Sequence, residues 1–340
     1  MKDFKISGIL LLYHHPLEAN APTIMEHLNA FEEYSSWPVW SINRALDFPR
    51  NLQCMSFDII VLHYSLFGNY PFALTPKFYS YVKSTSSLKI AFFQDEYQYC
   101  PQRFAAINDL AVDSIYSLLD PCYHSVYIKS TQCKSIHHTL TGYVDDDLIE
   151  RSSILTKEDA QRSIDIGYRA RPLPLYMGRG AQEKTEIAEG VLERLFSSDL
   201  ITDIKTAEAD RIYGKKWHEY VANCRGMLGV EAGVSIFDLK GEAQQAYNDY
   251  LKTNDLALQE RLLKVINSFE GNIYYRTISP RIFECAAFRT CMILFEGNYQ
   301  GMLKPMEHYI PLKKDFSNFD HAITIFRDPL ERSRLTDNAY

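Results

Sequence analysis

Short, continuously apolar runs alternate with amphipathic segments along the first part of the chain. The apolar runs predict strands at residues 8–13, 39–43, 57–63, 88–93 and 114–119, the segments between them predict helices at 21–34 and 76–83, and residues 125–128 extend the alternation. Strands that are apolar along their whole length and alternate with helices form parallel sheets covered on both faces. The first part of the chain is therefore expected to be an α/β domain.

The pattern changes between residues 139 and 165, which are polar and acidic without sustained periodicity. Such a change is typical of a crossover between domains. After it, a second alternating set predicts strands at 163–169, 200–206, 225–230 and near residues 291 and 308, and helices at 182–198, 217–224, within 241–268 and over 278–284. A chain of 340 residues is too long for one ordinary core. We therefore expect two domains, residues 1–150 and 151–340.

Composition and charge narrow the class of protein. Hydrophobic residues make up 46% of the chain and charged residues 23%, which is an ordinary globular composition. The formal net charge of −7 argues against a nucleic-acid binder that works by broad phosphate neutralisation, so no nucleic-acid partner is expected. Seven cysteines, an odd number without C-x-x-C spacing, favour neither a disulfide framework nor a zinc site.

The first apolar run, residues 6–13, is followed by two histidines and a proline and has no small-residue cleavage site. It is typical of a buried first strand and not of a signal peptide. No run approaches the roughly 20 apolar residues that are needed to span a bilayer. These features favour a cytoplasmic location, and peripheral association with the inner face of a membrane stays open.

The segment from residue 278 to residue 312 carries the strongest candidate chemistry. Ser279 suits a helix N-cap, Pro280 suits the first helical position, and a following run of small residues permits close packing of that helix. Free backbone amides at such a helix start favour a phosphate group. The strand predicted near residue 291 ends at Glu296, so acidic side chains are expected where open α/β sheets bind ligands. A nucleotide-sugar site is built in this way.

The letters SPRIFECAAFRT, followed by a strand and then by FEGNYQG and HYIPL, resemble the donor-site segment of bacterial GT-B glycosyltransferases of group 1, or family 4. These enzymes are common in surface-polysaccharide gene clusters. In that family a helical Glu chelates the ribose hydroxyls of the sugar nucleotide, and Glu284 is the residue that matches it. Two positions depart from the family pattern: Arg289 stands where Gly is usual, and Arg276 stands where many members carry another Glu.

The resemblance implies an α/β fold of the GT-B type, with two Rossmann-like domains whose parallel sheets face an interdomain cleft. It implies transfer of a sugar from a nucleoside-diphosphate sugar to a glycan or lipid-linked acceptor in surface-polysaccharide biosynthesis. The first domain would bind the acceptor and the second would bind the donor. The nucleotide sugar is then a substrate, and no separate cofactor is expected.

Cations for the donor phosphates are expected in residues 165–184. Arg169 and Arg171 end a predicted strand and Lys184 lies in the next predicted helix, where positive charge suits a diphosphate leaving group. This segment resembles the GYRGR opening of the second domain in the same family, which implies that these three cations grip the phosphates. Each has an alternative role as a surface charge or as the partner of a nearby carboxylate. The resemblance also implies that Glu231, in an acidic-Gly-Ser loop, faces the donor.

Polar residues also follow predicted strands of the first domain, where the carboxyl ends of parallel strands meet at one edge of the sheet. In family 4 enzymes the strand that matches LKIAFF often ends in a His, but Gln94 stands there in this chain. Asp95 or Glu96 is then a candidate to orient or deprotonate the acceptor hydroxyl, and His63 is a further candidate catalytic residue. The alternative is structural, because a lone His is more often structural and the two acidic residues can cap the next element.

Metal chemistry is not indicated by the motifs. No D-x-D signature flanked by strands is present, and the acidic run at residues 145–147 lies in the presumed crossover. No metal ligands are therefore predicted and a metal-independent mechanism is preferred. Retention of anomeric configuration is favoured only slightly.

Two other functions compete with sugar transfer. A nicotinamide oxidoreductase is disfavoured, because YHHPLEAN stands after the first strand in place of G-x-G-x-x-G. A catalytically inactive GT-B-like partner or scaffold protein stays open, because Arg276, Arg289 and Gln94 depart from the family pattern.

Overall fold

Two sheets of parallel strands organise the computed structural model, which describes residues 4–15, 22–68, 70–253 and 255–340. The chain forms two compact units, Met1–Thr139 with Ile236–Tyr275 and Leu140–Ser235 with Arg276–Tyr340. Each unit contains one of the two large sheets. The predicted α/β class is confirmed.

Strands and helices alternate over most of the described chain. The strands are β1 (Phe4–Tyr13), β2 (Val39–Asn43), β3 (Met55–Leu62), β4 (Leu88–Phe92), β5 (Ser114–Ser117), β6 (Ser135–His138), β7 (Ile164–Arg169), β8 (Thr202–Lys205), β9 (Cys224–Gly229), β10 (Ala232–Val234), β11 (Tyr275–Thr277), β12 (Cys291–Phe295) and β13 (Ile310–Leu312). The helices are α1 (Pro22–Tyr34), α2 (Pro76–Ser84), α3 (Cys100–Asp109), α4 (Ser125–Ser130), α5 (Asp146–Leu155), α6 (Arg179–Arg194), α7 (Lys215–Asn223), α8 (Glu242–Thr253), α9 (Leu256–Phe269), α10 (Pro280–Ala287), α11 (Phe319–Arg327) and α12 (Pro329–Ala339).

The first sheet has the strand order β2-β1-β3-β4-β5-β6, and each pairing in it is parallel. Leu10, Leu11 and Leu12 of β1 are fully buried, as are Ile60 and Leu62 of β3. Successive side chains point to opposite faces of a strand, so a strand whose consecutive residues are all buried must be covered on both faces. This coverage is the physical cause of the continuous apolar runs in the sequence.

The second sheet has the strand order β13-β12-β9-β7-β8, again with parallel pairings. Every residue of β12 is buried. In β7, a Cβ atom added at Gly167 would lie only 2.4 Å from Cys224 Sγ, so glycine allows the neighbouring side chains to approach closely. Parallel strands end at the same edge of a sheet, so the residues that follow β7, β9, β12 and β13 come together there.

Several predicted elements agree with the observed ones. Residues 39–43 are predicted as a strand and are β2, and the predicted strands at 8–13 and 163–169 correspond to β1 and β7. The helix predicted at 21–34 corresponds to α1, with residue 21 outside the described residues. Residues 125–128 belong to a helix, α4.

The segment at residues 139–165, predicted to be a crossover, contains helix α5. Asp145 caps this helix, because its Oδ1 accepts a hydrogen bond from the amide of Leu148 at 2.7 Å. The acidic residues that follow occupy the first turn, where the helix dipole favours negative charge. The division of the chain at residue 150 stays a prediction. The first compact unit also includes residues 236–275, so the chain enters this unit twice. A single division of the chain into two domains does not describe this arrangement.

None of the helices in the described ranges combines the length and the apolar character that are needed to cross a bilayer. The cytoplasmic location and the peripheral membrane association both stay predictions.

Candidate functional site

The carboxyl edge of the second sheet brings together several predicted site residues. Arg169 is the last residue of β7, and Glu231 follows β9 by two positions. Glu296 directly follows β12, is exposed, and donates its backbone amide to the carbonyl of Leu312 at 2.9 Å. These residues occupy one edge because the strands that carry them are parallel and adjacent.

Helix α10 carries Ser279 at its N-cap position and Glu284 in its middle. The Ser279 side chain makes no capping hydrogen bond, so it does not occupy the first amides of the helix. Pro280 is the first helical residue, as predicted. The buried side of the helix consists of Ile282, Cys285 and Ala287, which pack against the core of the second unit.

The Glu284 carboxylate is held inside the second unit and is not a solvated side chain. Its Oε2 accepts a hydrogen bond from Trp217 Nε1 at 2.6 Å, and its Oε1 lies 3.9 Å from His218 Nε2. Only 13% of the side chain is exposed. Burial raises the pKa of Glu284, although the Trp217 hydrogen bond and the charge of Arg281 act in the opposite direction. A charged carboxylate in this environment is poised for strong hydrogen bonds with hydroxyl donors.

Arg281 lies beside Glu284 but does not form the simple helix-surface ion pair that its spacing suggests. Its guanidinium donates to the backbone carbonyl of Arg169 and lies above the rings of Tyr168 and Trp217, at 5.0 and 5.3 Å from their centroids. Its Nε atom is buried and has no hydrogen-bond partner among the described residues. We call Tyr168, Trp217, Arg281 and Glu284 the Glu284 site.

Neither Trp217 nor Arg281 is among the predicted site residues. The spacing of Arg281 and Glu284 does indicate a contact, but the importance of Trp217 has no signal in the sequence. That residue comes from another helix, α7, and reaches Glu284 across 67 positions of chain.

Both Nη atoms of Arg169 form hydrogen bonds with neighbouring protein groups. Its Nη2 donates to Asp203 Oδ2 at 2.7 Å, and its Nη1 donates to the backbone carbonyl of Asp203 at 2.7 Å and to the Tyr220 hydroxyl at 2.9 Å. The guanidinium also lies 4.5 Å from the centroid of the Tyr220 ring. Arg171 is exposed and Lys184 is partly exposed, so the geometry favours these two cations over Arg169 as contacts for a soluble anion.

A chain of buried charges surrounds Glu231. Arg276 donates to the Glu183 carboxylate, and its Nε lies 3.7 Å from Glu231 Oε2. Lys314 Nζ donates to the other Glu183 oxygen at 2.6 Å. The side chains of Arg276, Glu183 and Glu231 are 4%, 11% and 3% exposed, so this is an internal ion-pair network. We call these four residues the Arg276 network.

Two further features fix the Arg276 network in place. Glu231 Oε1 accepts the backbone amides of Asn298 and Tyr299, at 3.0 and 2.9 Å. Arg276 also donates to the carbonyl of Gly180, in the first turn of α6, where an added Cβ would lie 2.2 Å from Arg276 Nη1. Arg276 thus holds the start of α6 against the carboxyl end of β9.

In the first unit, Glu96 is enclosed by donors. Its Oε2 accepts from the Ser117 hydroxyl at 2.7 Å and from the Tyr127 hydroxyl, and its Oε1 accepts from the amide of Leu118 at 2.8 Å. The residue is 2% exposed, and burial raises the pKa of its carboxyl group. Asp95, by contrast, is exposed and has a left-handed backbone with φ of 52°. The geometry therefore favours Asp95 over Glu96 for contact with an acceptor.

His63 is fully buried and forms a pair with His27 of α1. The Ser65 amide donates to His63 Nδ1 at 3.0 Å, so Nδ1 carries the lone pair and Nε2 carries the proton. His63 Nε2 lies 2.9 Å from His27 Nδ1 and is the donor in that contact. Burial lowers the pKa of His27 to about 4 and holds the pKa of His63 well below its usual range.

The His27–His63 pair predicts a loss of stability in mild acid. Both imidazoles are neutral in the folded chain, whereas unfolded histidines take up a proton near pH 6.5. The unfolded state therefore binds more protons as the pH falls from about 6.5 towards 4, and stability is lost over that window. For His27 we expect a loss of about 2 kcal/mol between pH 7 and pH 5.

Thermal unfolding at several pH values checks this expectation. His27→Phe, placed among the neighbouring rings of Phe31 and Phe92, should flatten the dependence on pH. His321→Gln, at an exposed position, should leave it unchanged. Identical pH profiles for His27→Phe and the unmodified chain would contradict the assignment.

The described residues contain no group of three or more His, Cys, Asp or Glu side chains that could hold a metal ion. Asp145, in the acidic run, is used as a helix cap. Metal independence stays a prediction.

Similarity to known proteins is confined to structure. No protein-family model and no curated protein sequence matches the chain. Among solved structures, an alpha-glucosyltransferase in complex with UDP and a 13-mer DNA containing a HMU base is 10% identical, with a TM-score of 0.54 over 98% of this chain and 94% of the other. An alpha-glucosyltransferase in complex with UDP-glucose and DNA containing an abasic site is also 10% identical, with a TM-score of 0.55 over 99% and 94%.

At this level of identity the similarity concerns the fold. It extends over nearly the whole of both chains, and it agrees with the two parallel sheets described above. The chain has the GT-B fold, with two Rossmann-like domains.

Proposed function

We propose that this chain is a glycosyltransferase that takes a sugar from a nucleoside-diphosphate sugar and passes it to an acceptor hydroxyl. The second unit binds the donor and the first binds the acceptor. The two similar structures described above hold UDP or UDP-glucose, but one fold hosts many functions, so the function is argued from the site. The observation that carries it is the Glu284 carboxylate, mostly buried and fixed by Trp217.

Glu284 suits a pair of ribose hydroxyls. A carboxylate has about four lone-pair positions, and the Trp217 indole uses one of them. Hydroxyl donors could take positions that remain, and such charge-assisted hydrogen bonds are stronger than those between neutral groups. Arg281 adds a buried N–H that has no acceptor within the described chain. The Glu284 site therefore offers both an acceptor and a donor to a polar ligand.

The donor diphosphate requires positive charge close to this edge. Arg171 and Lys184 supply it in our proposal, together with the start of α10 beside Ser279, where Pro280 has no N–H and the Arg281 amide is the first donor. Arg179 is a further contributor that the sequence predictions omit, because it is exposed and is the first residue of α6. Charge that develops on the leaving phosphate would be stabilised by these groups without a metal ion.

The remaining predicted residues take secondary roles in the proposal. Glu296, exposed after β12, contacts the donor sugar, and Glu231 and Arg169 hold the surrounding backbone. In the first unit, Asp95 orients or deprotonates the acceptor hydroxyl, while Glu96 and His63 support the loops that follow their strands.

Finer features of the reaction are also proposals. We place the acceptor among glycans and lipid-linked sugars of surface-polysaccharide biosynthesis, and we favour retention of configuration. The expectation of no nucleic-acid partner has no support from the comparisons, since the two structures described above contain DNA. DNA therefore belongs among the acceptors to be tested.

Calorimetric titration with UDP-, GDP-, ADP- and CMP-sugars tests the proposal. We expect saturable binding of one nucleotide class, and release of its nucleoside diphosphate when an acceptor is supplied. NAD(P) serves as the comparison ligand for an oxidoreductase. If well-folded protein binds none of the nucleotide sugars, the glycosyltransferase proposal fails.

A catalytically inactive GT-B-like partner protein is the second candidate. The observation in its favour is Arg276, which stands where the family resemblance implies a carboxylate and is paired with Glu183 and Glu231. These contacts leave the network charge-balanced without any ligand. Binding of a nucleotide sugar without turnover against any acceptor would favour this candidate.

A further inference from the structure

The carboxyl ends of β1 and β2, in the first unit, carry a second polar cluster that the donor site does not use. The Arg44 amide donates to the carbonyl of Tyr13 at 2.8 Å, which continues the pairing of the two strands. Asn43 clamps the loop after β1, because its Oδ1 accepts from the His15 amide at 3.1 Å and its Nδ2 donates to the His15 carbonyl at 2.7 Å. His14 and Arg44 therefore project from a backbone held at both strand ends.

The contact between His14 and Arg44 determines where the imidazole proton lies. Arg44 Nη2 is 3.3 Å from His14 Nε2. A guanidinium can only donate, so His14 Nε2 must accept and the proton of the neutral ring must be on Nδ1. Burial and the charge of Arg44 both lower the pKa of His14, which keeps the ring in this neutral form.

Two buried donors in this contact have no acceptor among the described residues. They are His14 Nδ1 and Arg44 Nε. The described carboxylates include none that pairs with Arg44, whose neighbours are His14 and the hydroxyl of Tyr70. Buried donors without acceptors are rare in native proteins, because each loses its hydrogen bonds to water on burial and gains no hydrogen bond within the protein.

Tyr70 completes the cluster. Its ring lies 5.7 Å from that of His14, and the two ring planes are inclined by 63°. A side-chain hydrogen bond joins the Tyr70 hydroxyl to Arg44, so the hydroxyl lies beside the guanidinium.

We propose that His14, Arg44 and Tyr70 form a phosphate-binding site, the His14–Arg44 cluster. A phosphate ester supplies several acceptor oxygens for the buried N–H groups and negative charge for the guanidinium. The site lies at the edge of the first sheet where α/β proteins bind ligands. Under the proposed function, on which this step rests, the phosphate belongs to the acceptor, so the acceptor is a phosphorylated molecule.

Histidine-selective NMR of the full chain tests the cluster directly. Long-range ¹H–¹⁵N spectra should show His14 as the Nδ1–H tautomer, with its signals assigned by their loss in His14→Gln. Inorganic phosphate, added at constant ionic strength, should shift these signals in a saturable way with a dissociation constant of about 1 mM. Acetate at the same concentration should shift them much less.

Substitutions of arginine separate a specific site from general charge effects. Arg44→Gln should weaken phosphate binding by about tenfold or more, because it removes a charge-assisted donor. Arg50→Gln, at an exposed arginine, should leave the affinity unchanged. If Arg44→Gln does not fold, Tyr70→Phe provides the test, since it removes only a hydroxyl and should weaken binding several-fold.

Three results would overturn the proposal: a His14 Nε2–H tautomer, no saturable shift with phosphate, or equal affinity in the Arg44 or Tyr70 variant and the unmodified chain. A response to acetate equal to that with phosphate would overturn the assignment to phosphate. Calorimetry with nucleotide sugars is independent of this readout. If nucleotide sugars bind but phosphate does not shift the His14 signals, only this inference is contradicted. If phosphate shifts the His14 signals but no nucleotide sugar binds, only the donor proposal is contradicted.

Discussion

Replacing Arg276 with methionine is expected to lower the free energy of unfolding by about 3–5 kcal/mol, the usual cost of breaking a buried ion pair from one side. The substitution leaves the Glu183 and Glu231 carboxylates buried without their shared cation. Lys314 remains beside Glu183, but it is 54% exposed and cannot replace the contact with Glu231. The methionine also gives up the hydrogen bond to the Gly180 carbonyl.

Urea unfolding monitored by circular dichroism measures this effect. The matched control is Arg289→Met, because Arg289 pairs with Asp337 while the two side chains are 40% and 60% exposed. An exposed ion pair contributes about 0–1 kcal/mol, so the control should change stability little. Equal destabilisation by the two substitutions would show that the Arg276 network does not act as a buried structural element.

Substitution of Glu284 is expected to weaken binding of the nucleotide-sugar donor by about tenfold or more, which is about 1.4 kcal/mol. Glu284→Ala removes the whole carboxylate. Glu284→Gln keeps an oxygen for the Trp217 indole and removes only the charge, so it isolates the charge-assisted part of the interaction. Both variants should stay folded, because the Trp217 indole is the one strong hydrogen-bond partner of this carboxylate within the described chain.

Calorimetric titration of the preferred nucleotide sugar compares these variants with Glu193→Gln. Glu193 is a suitable control because it is on α6 and its side chain is 82% exposed. Unchanged affinity in both Glu284 variants would mean that the donor does not reach this carboxylate. The donor site would then have to be sought elsewhere in the second unit.

The two positions that depart from the pattern of the resembled family, Arg276 and Arg289, differ in their surroundings. Arg276 replaces an expected carboxylate, but it enters an internal network with Glu183 and Glu231. Arg289 has a left-handed backbone, with φ of 49°, at a position where the family usually has glycine. The turn after α10 therefore adopts a glycine-like conformation although an arginine occupies it.

Much of the fold was predictable because buried strands and helices have characteristic patterns of apolar residues in the sequence. Strand β12, residues 10–12 of β1 and residues 60–62 of β3 are buried on both faces, and each of these stretches is an uninterrupted apolar run. Short elements were harder to predict. Helix α5 begins within an acidic run, and such runs are also typical of solvated linkers. Its capping residue, Asp145, belongs to that run.

The side-chain contacts of the candidate residues were not predictable where their partners lie far away along the chain. Glu284 lies on α10, as predicted, but its carboxylate is held by Trp217, 67 positions away. Glu96 has the sequence position of a residue that orients or deprotonates an acceptor, yet Ser117 and Tyr127, 21 and 31 positions away, enclose it. No local spacing predicts those contacts, because they form only when separate elements pack together.

The amino-acid sequence by itself determined the α/β alternation, the two sheets and the set of polar residues that end their strands, because these features follow from local periodicity and the geometry of parallel strands. Tertiary structure alone decided which of those residues are enclosed by partners, as Arg169, Glu96 and Glu231 are, and which keep an accessible charge. The physical reason is that desolvation and ion pairing depend on neighbours in space, and these come from distant parts of the chain.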